Sequence, residues 1–128
     1  MKLSIIIPVY NEEKNLPLLF GAFYEVLEKL KCEYEIIAVN DHSRDKSLDV
    51  LRELAVQDKN VKVISFRTNG GQTAALSAGI AAASGDLIIP MDSDMENDPH
   101  DIPKLIAKLS RDMMWFPAGA RIVGMVVL

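Results

Sequence analysis

Three apolar runs in this chain each end in an acidic or polar turn and are each followed by a helical pattern. Ser4-Ile5-Ile6-Ile7-Pro8-Val9 runs into Tyr10-Asn11-Glu12-Glu13. Ile36-Ile37-Ala38-Val39 runs into Asn40-Asp41-His42-Ser43, and Leu87-Ile88-Ile89-Pro90-Met91 into Asp92-Ser93-Asp94. Runs of Ile and Val without strict alternation suit strands buried on both faces. Strands that alternate with helices imply a parallel sheet with right-handed crossovers. The spacing predicts strands near 3–9, 34–40, 61–66 and 86–91, with helices near 15–31, 45–57, 72–83 and 99–109. The expected fold class is α/β, a doubly wound and mostly parallel sheet.

The helices differ in kind. Leu16, Leu19, Phe23, Leu27 and Leu30 form one stripe, so the first is amphipathic. Leu48, Leu51, Leu54 and Ala55 mark one face of the second. The third, Thr73 to Ala83, is small all round. It is expected to pack close to the sheet and to be buried on more than one side.

In an open α/β sheet, ligands bind at the carboxyl ends of the strands. The Asp92-Ser93-Asp94 turn delivers two carboxylates there. Two carboxylates alone repel a phosphate, whereas with a divalent cation between them they hold one. The sequence therefore points to a metal-diphosphate site. Blander readings stand beside this one. Ten Asp residues make an Asp-x-Asp easy to reach by chance. Tyr10 could simply end a strand, Asp41 and Ser43 could form only a turn and a helix cap, and Gly70-Gly71 could be only a permissive turn.

The net charge of -4 and the lack of a basic stripe argue against a nucleic-acid partner. Cys32 is the one cysteine, so no intrachain disulfide forms and a reducing cytosol is compatible. The amino terminus carries one Lys, and its apolar run stops at Pro8, which does not read as a secretory signal. No apolar stretch reaches the ~18 residues of a membrane span. A cytoplasmic location follows as the expectation.

With these residues in place, the chain resembles the amino-terminal half of a family 2 glycosyltransferase of the GT-A fold. Within the family it looks most like the dolichol-phosphate-mannose synthase group and bacterial polyprenyl-phosphate sugar transferases. Ile5 to Glu13, Val39 to Ser43, Ile89 to Pro99 and the loop Arg67 to Leu76 carry the resemblance, which spans residues 3–109. It implies a nucleotide-diphosphate sugar donor and a polyprenyl-phosphate acceptor. It also implies action at the cytoplasmic face of a membrane, and transfer with inversion. Pro8, Tyr10 and Glu12 match positions that line the base and ribose. Val39 and Asp41 match positions that close over the base. Gly71, Gln72 and Ser93 fall among the substrate-binding positions. Asp92 and Asp94 match the catalytic metal-diphosphate pair for Mg²⁺ or Mn²⁺. Glu96 stands where the group usually has Gln, and becomes a candidate third ligand. A nucleotidyltransferase on a related fold fits less well, because its glycine-rich loop with a following basic residue is absent near the amino terminus.

The resemblance stops at about Ser110. Met and Trp have single codons, so Met113-Met114-Trp115-Phe116, read from the third base of each codon, spells Asp-Val-Val. That is part of the family's next segment. The expected division is therefore a nucleotide-sugar-binding half over residues 1–110 and a frameshifted tail over 111–128. On that reading the polypeptide is a binding fragment or a non-functional remnant. Its apolar end, Ile122 to Leu128, would have no partner, and the exposed sheet edge would invite association.

Overall fold

A computed structural model describes residues 2–94, 98–112 and 122–123. The elements follow in the order β1 (Lys2–Val9), α1 (Leu16–Leu30), β2 (Glu33–Asn40), α2 (Ser47–Gln57), β3 (Val61–Ser65), α3 (Gln72–Ala82) and β4 (Leu87–Pro90). A 3-10 turn at Pro99–Asp101 leads into α4 (Ile102–Asp112), and β5 is the pair Ile122–Val123. The strands lie in the order β3-β2-β1-β4-β5, and every pairing is parallel. This is the doubly wound sheet that the sequence pattern implies.

β1 lies at the centre, pairing with β2 from Lys2↔Glu33 to Val9↔Asn40 and with β4 from Leu3↔Leu87 to Ile6↔Pro90. Period-two alternation divides its side chains between two cores. Leu3, Ile5, Ile7 and Val9 pack with α1, with Leu51 of α2 and with Ile102 of α4. Ile6 faces the other way, with Ile37, Val39 and Ile88, against Ala75 of α3. Each fully buried Leu, Ile or Phe contributes about 1.5–3 kcal/mol relative to exposure, so the larger core, which holds Phe20 and Phe23, dominates. Those rings meet edge to face, with centroids 5.9 Å apart.

Pro17 sits in the first turn of α1, where its missing N–H costs nothing. Lys31 ends the helix in the left-handed region at φ 52°, with its N–H on the Leu27 carbonyl. α3 corrects one expectation. It does lie close to the sheet, because a Cβ on Gly79 would stand 2.3 Å from Ile6 Cγ2. Yet within the helix only Ala75 and Gly79 are buried, so it is covered on one side alone. The last helix begins later than expected and runs to Asp112, two residues beyond the expected boundary at 110.

The expected frameshifted tail lies mostly outside the described residues. Its Ile122 and Val123 do have partners, since they pair with Leu87 and Ile88. That corrects the expectation of a partnerless apolar end for those two residues. No helix among the described residues is long and apolar enough to cross a membrane.

At the amino ends of the strands the sheet carries a buried carboxylate, Glu35. It accepts from Ser4 Oγ, from Lys62 Nζ at 2.7 Å, and from Ser84 N at 2.6 Å and Oγ at 3.0 Å. Burial pushes its pKa up, but these donors outweigh burial and hold it at about 2 against an ordinary 4.5.

Because the folded value is depressed, the stabilisation from Glu35 is present above the ordinary value and lost as pH falls from 4.5 toward 2. The denaturation midpoint should fall across that window, and Glu35→Gln should flatten the fall. Two glycines should respond in opposite senses to alanine. Gly79→Ala should destabilise by about 1–3 kcal/mol, since α3 must lift off Ile6. Gly21→Ala, on the exposed face of α1 with nothing within 4 Å, should stabilise by about 0.5–1 kcal/mol. Chemical denaturation measures both.

Candidate functional site

The strand order reverses at β1, with β2 and β3 on one side and β4 and β5 on the other. A crevice opens at such a switch point, beyond the carboxyl ends of the strands. There the structure has a cavity of about 320 Å³. Pro8, Tyr10 and Glu12 line it from the end of β1, Asp41 from β2, Gln72 from α3, and Asp92, Ser93 and Asp94 from β4. Eight of the residues expected from sequence thus meet in one place.

Two expected residues do not line it. Val39 is fully buried in the core beneath α3. It pairs in register with Pro8, and strand alternation directs its side chain into the layer below the cavity. Gly71 starts α3 in the left-handed region at φ 90°. Its amide is committed to Asp41, which supports the turn reading of this glycine. Glu96, the expected third ligand, lies outside the described residues. Sequence reasoning missed Val9, Asn69 and Ala75, which also line the cavity. Asn69, just ahead of a Gly-Gly pair, had a turn signal; Ala75 had none beyond its place on a helix of small residues.

The two turns nearest β1 are locked to each other. Asn11 sits at φ 54° and His42 at φ 56°. Asn11 N donates to Ser43 Oγ at 3.0 Å, and Arg44 N donates to Asn11 Oδ1 at 2.8 Å. Glu12 N donates to the buried Ser47 Oγ at 2.8 Å. Ser47 in turn donates from its N and Oγ to Asp45 Oδ1, at 2.9 and 2.6 Å. Burial raises the Asp45 pKa, but the donations from Ser47 and from Glu13 N outweigh it and lower the value. The start of α2 therefore fixes the turn that carries Tyr10 and Glu12. The Tyr10 side chain is held there at 45% exposure, a flat face open to the cavity.

On the other side of Tyr10, Asp41 is only 5% exposed. Both its carboxylate oxygens accept backbone amides, Gly70 N at 2.7 Å and Gly71 N at 3.0 Å. Gln72 Nε2 then donates to Asp92 Oδ1 at 3.0 Å. Met91 N donates to the Ile6 carbonyl at 2.9 Å, which carries the β1–β4 ladder up to the residue before Asp92. Among the described residues the cavity lining has four carboxylates and no Lys or Arg. Such an all-oxygen donor set matches a hard divalent cation. No cluster of three or more His, Cys, Asp or Glu with metal-binding geometry occurs among the described residues.

His100 lies away from the cavity. Its ring bridges Asp98 at 2.7 Å and Glu25 of α1 at 2.8 Å. The hydrogen bond that the ring donates to Glu25, then the one it donates to Asp98, raise its pKa.

Comparison with known proteins identifies relatives. A model of "Glycosyl transferase family 2" matches residues 4–124. An uncharacterized glycosyltransferase of Synechocystis sp. is 45% identical over 108 residues, covering 84% of this chain and 34% of its own length. The undecaprenyl-phosphate 4-deoxy-4-formamido-L-arabinose transferase of Proteus mirabilis is 44% identical over 107 residues, covering 83% and 33%. The chain thus spans about a third of the length of these curated relatives. Among solved structures, S. aureus TarS 1–349 in complex with UDP-GlcNAc is 26% identical with a TM-score of 0.62, covering 95% of this chain and 37% of that one. Mannosyltransferase PcManGT from Pyrobaculum calidifontis, in complex with GDP-Man and Mn²⁺, superposes with a TM-score of 0.70 over 84% of this chain and 32% of that one. At 20% identity it shows the shared fold.

Ser47→Ala tests the lock between the turns. It removes the acceptor of a Glu12 amide and should destabilise by about 1–3 kcal/mol, read by urea denaturation. Arg52→Ala, an exposed change on the same helix, should stay within about 0.5 kcal/mol.

Proposed function

The chain belongs to glycosyl transferase family 2, and on that premise we propose that its cavity binds the nucleotide-diphosphate sugar of a glycosyl transfer to a polyprenyl phosphate. One observation carries the proposal. The switch-point cavity gathers Tyr10 and Glu12 from one side of the crevice and Asp92 and Asp94 from the other. A nucleoside diphosphate has this polarity, with a flat base at one end and an anionic diphosphate at the other. Tyr10 offers the base a face, and Pro8 shapes the floor beside it. Glu12 is held by Asn15 Nδ2 at 2.7 Å on one oxygen, and its carboxylate can accept from ribose hydroxyls.

Asp92 and Asp94 would hold Mg²⁺ or Mn²⁺, whose chemistry is to neutralise the diphosphate as negative charge develops on it. Ser93 lies between them on the same turn. The sugar leaves the diphosphate as the acceptor attacks its anomeric carbon from the opposite face, with inversion. A polyprenyl phosphate is already an anion near neutral pH and needs no strong general base. That acceptor is supported by the Proteus mirabilis relative, whose name states undecaprenyl phosphate.

Incubation with labelled donor and polyprenyl phosphate in vesicles tests the transfer itself: labelled sugar should appear on the lipid, and donor binding with no label on the lipid would reject transfer.

Calorimetry with a nucleoside diphosphate tests the metal role. Affinity in Mn²⁺ should fall on the order of tenfold or more with chelator, and equally with Asp94→Ala. Equal affinity with and without metal would reject the role of the pair.

A further inference from the structure

Asp41 and Asp92 stand on opposite sides of β1, at the ends of β2 and β4. A strap joins them across the crevice. Asp41 clamps the amides of Gly70 and Gly71, and the next residue, Gln72, donates to Asp92. From these contacts we propose that Gln72 is a positioning residue for the Asp92 carboxylate, aimed by the loop that Asp41 locks. The inference rests on the metal-diphosphate reading above for its purpose, but not for its geometry.

An aspartate at a strand end is free to rotate about two side-chain torsions, so a carboxylate that must meet a cation benefits from an outside partner. Gln72 is suited to that work because its amide is neutral. It fixes Oδ1 without neutralising the charge that a cation needs, whereas a lysine would compete with the cation. A carboxylate has about four lone-pair sites, so one donated hydrogen bond leaves Oδ2 and part of Oδ1 for metal.

The turn before α3 aims Gln72. Gly71 sits at φ 90°, a conformation that L side chains rarely adopt. Two charge-assisted bonds donated by the Gly70 and Gly71 amides to one nearly buried carboxylate hold that turn, and such bonds are roughly twice as strong as neutral ones. Gln72 is the first residue of α3, so the direction in which its side chain starts is set one residue earlier, by the clamp.

α3 cannot drift to relieve a misaligned strap, because its Gly79 lies against Ile6. The clamp at one end of the helix and the close contact further along it fix the helix on the sheet. Asp41 thus acts on the strap through Gly70 and Gly71.

Nitrogen-15 NMR of the full chain without metal tests the strap directly. Asp41→Asn leaves one amide facing a donor, so it should shift the Gly70 and Gly71 amides and also the side-chain amide of Gln72. Asp92→Asn should shift the Gln72 side-chain amide as well. A Gln72 side-chain signal unchanged by Asp41→Asn would overturn the proposal. Mn²⁺ titration, followed by water-proton relaxation, tests the consequence. Gln72→Ala should weaken Mn²⁺ on the order of tenfold, Asp41→Asn should weaken it similarly, and the double variant should lose no more than either single. Additive losses, or Mn²⁺ affinity unchanged by Gln72→Ala, would overturn it. Gln72 is exposed, so Gln72→Ala folds even where Asp41→Asn does not, and decides the matter alone. A wild-type chain that shows the amide coupling but binds no Mn²⁺ refutes the metal reading and supports the strap.

Discussion

Everything at the carboxyl edge depends on the double pairing of β1. Its hydrogen bonds to β2 on one side and β4 on the other fix two registers at once. Side chains alternate along a strand, so a slip of one residue in either register would exchange the two cores. It would also move Asp41 or Asp92 relative to Tyr10. Burial opposes any such slip, because Ile5, Ile6 and Ile7 are all fully enclosed. The ends of three strands are therefore brought level by apolar packing several residues below them.

The two edges of this sheet treat polar groups differently. At the amino edge Glu35 receives four hydrogen bonds, and no buried polar side-chain atom among the described residues lacks a partner. That carboxylate is spent on holding β1, β2, β3 and the start of β4 together. At the carboxyl edge Asp92 and Glu12 line an open cavity and retain accepting capacity. One edge stabilises and the other remains able to bind, which is the division expected of a scaffold that carries its chemistry on loops.

Much of this was legible in the sequence because the signals are local. The Ile and Val runs gave β1 to β4 to within about one residue but not β5, and Leu16, Leu19, Phe23 and Leu27 of the predicted stripe lie in the buried face of α1, which also holds Phe20 and Val26. What escaped reading is non-local. The identity of the Asp41 partners depends on amides 29 and 30 residues away, which no spacing rule reveals. The small residues of α3 suit burial on two sides, and only the sheet decides that one side is covered. Val39 and Asp41 are two residues apart in one strand. They differ because Val39 is still inside the β1–β2 pairing while Asp41 is just beyond it.

The left-handed backbone at Asn11 and His42 bears on which sequences this turn pair can accept. Asparagine is among the few residues, after glycine, that enter this region at low cost, whereas β-branched side chains do not. Position 42 therefore has a narrow and asymmetric repertoire. Glycine, asparagine and aspartate can replace the histidine, and valine, isoleucine and threonine cannot. Chains that keep these two turns are confined at this position by the backbone alone. Backbone geometry alone thus leaves a signature at position 42 that an unwary reader would take for a ligand contact.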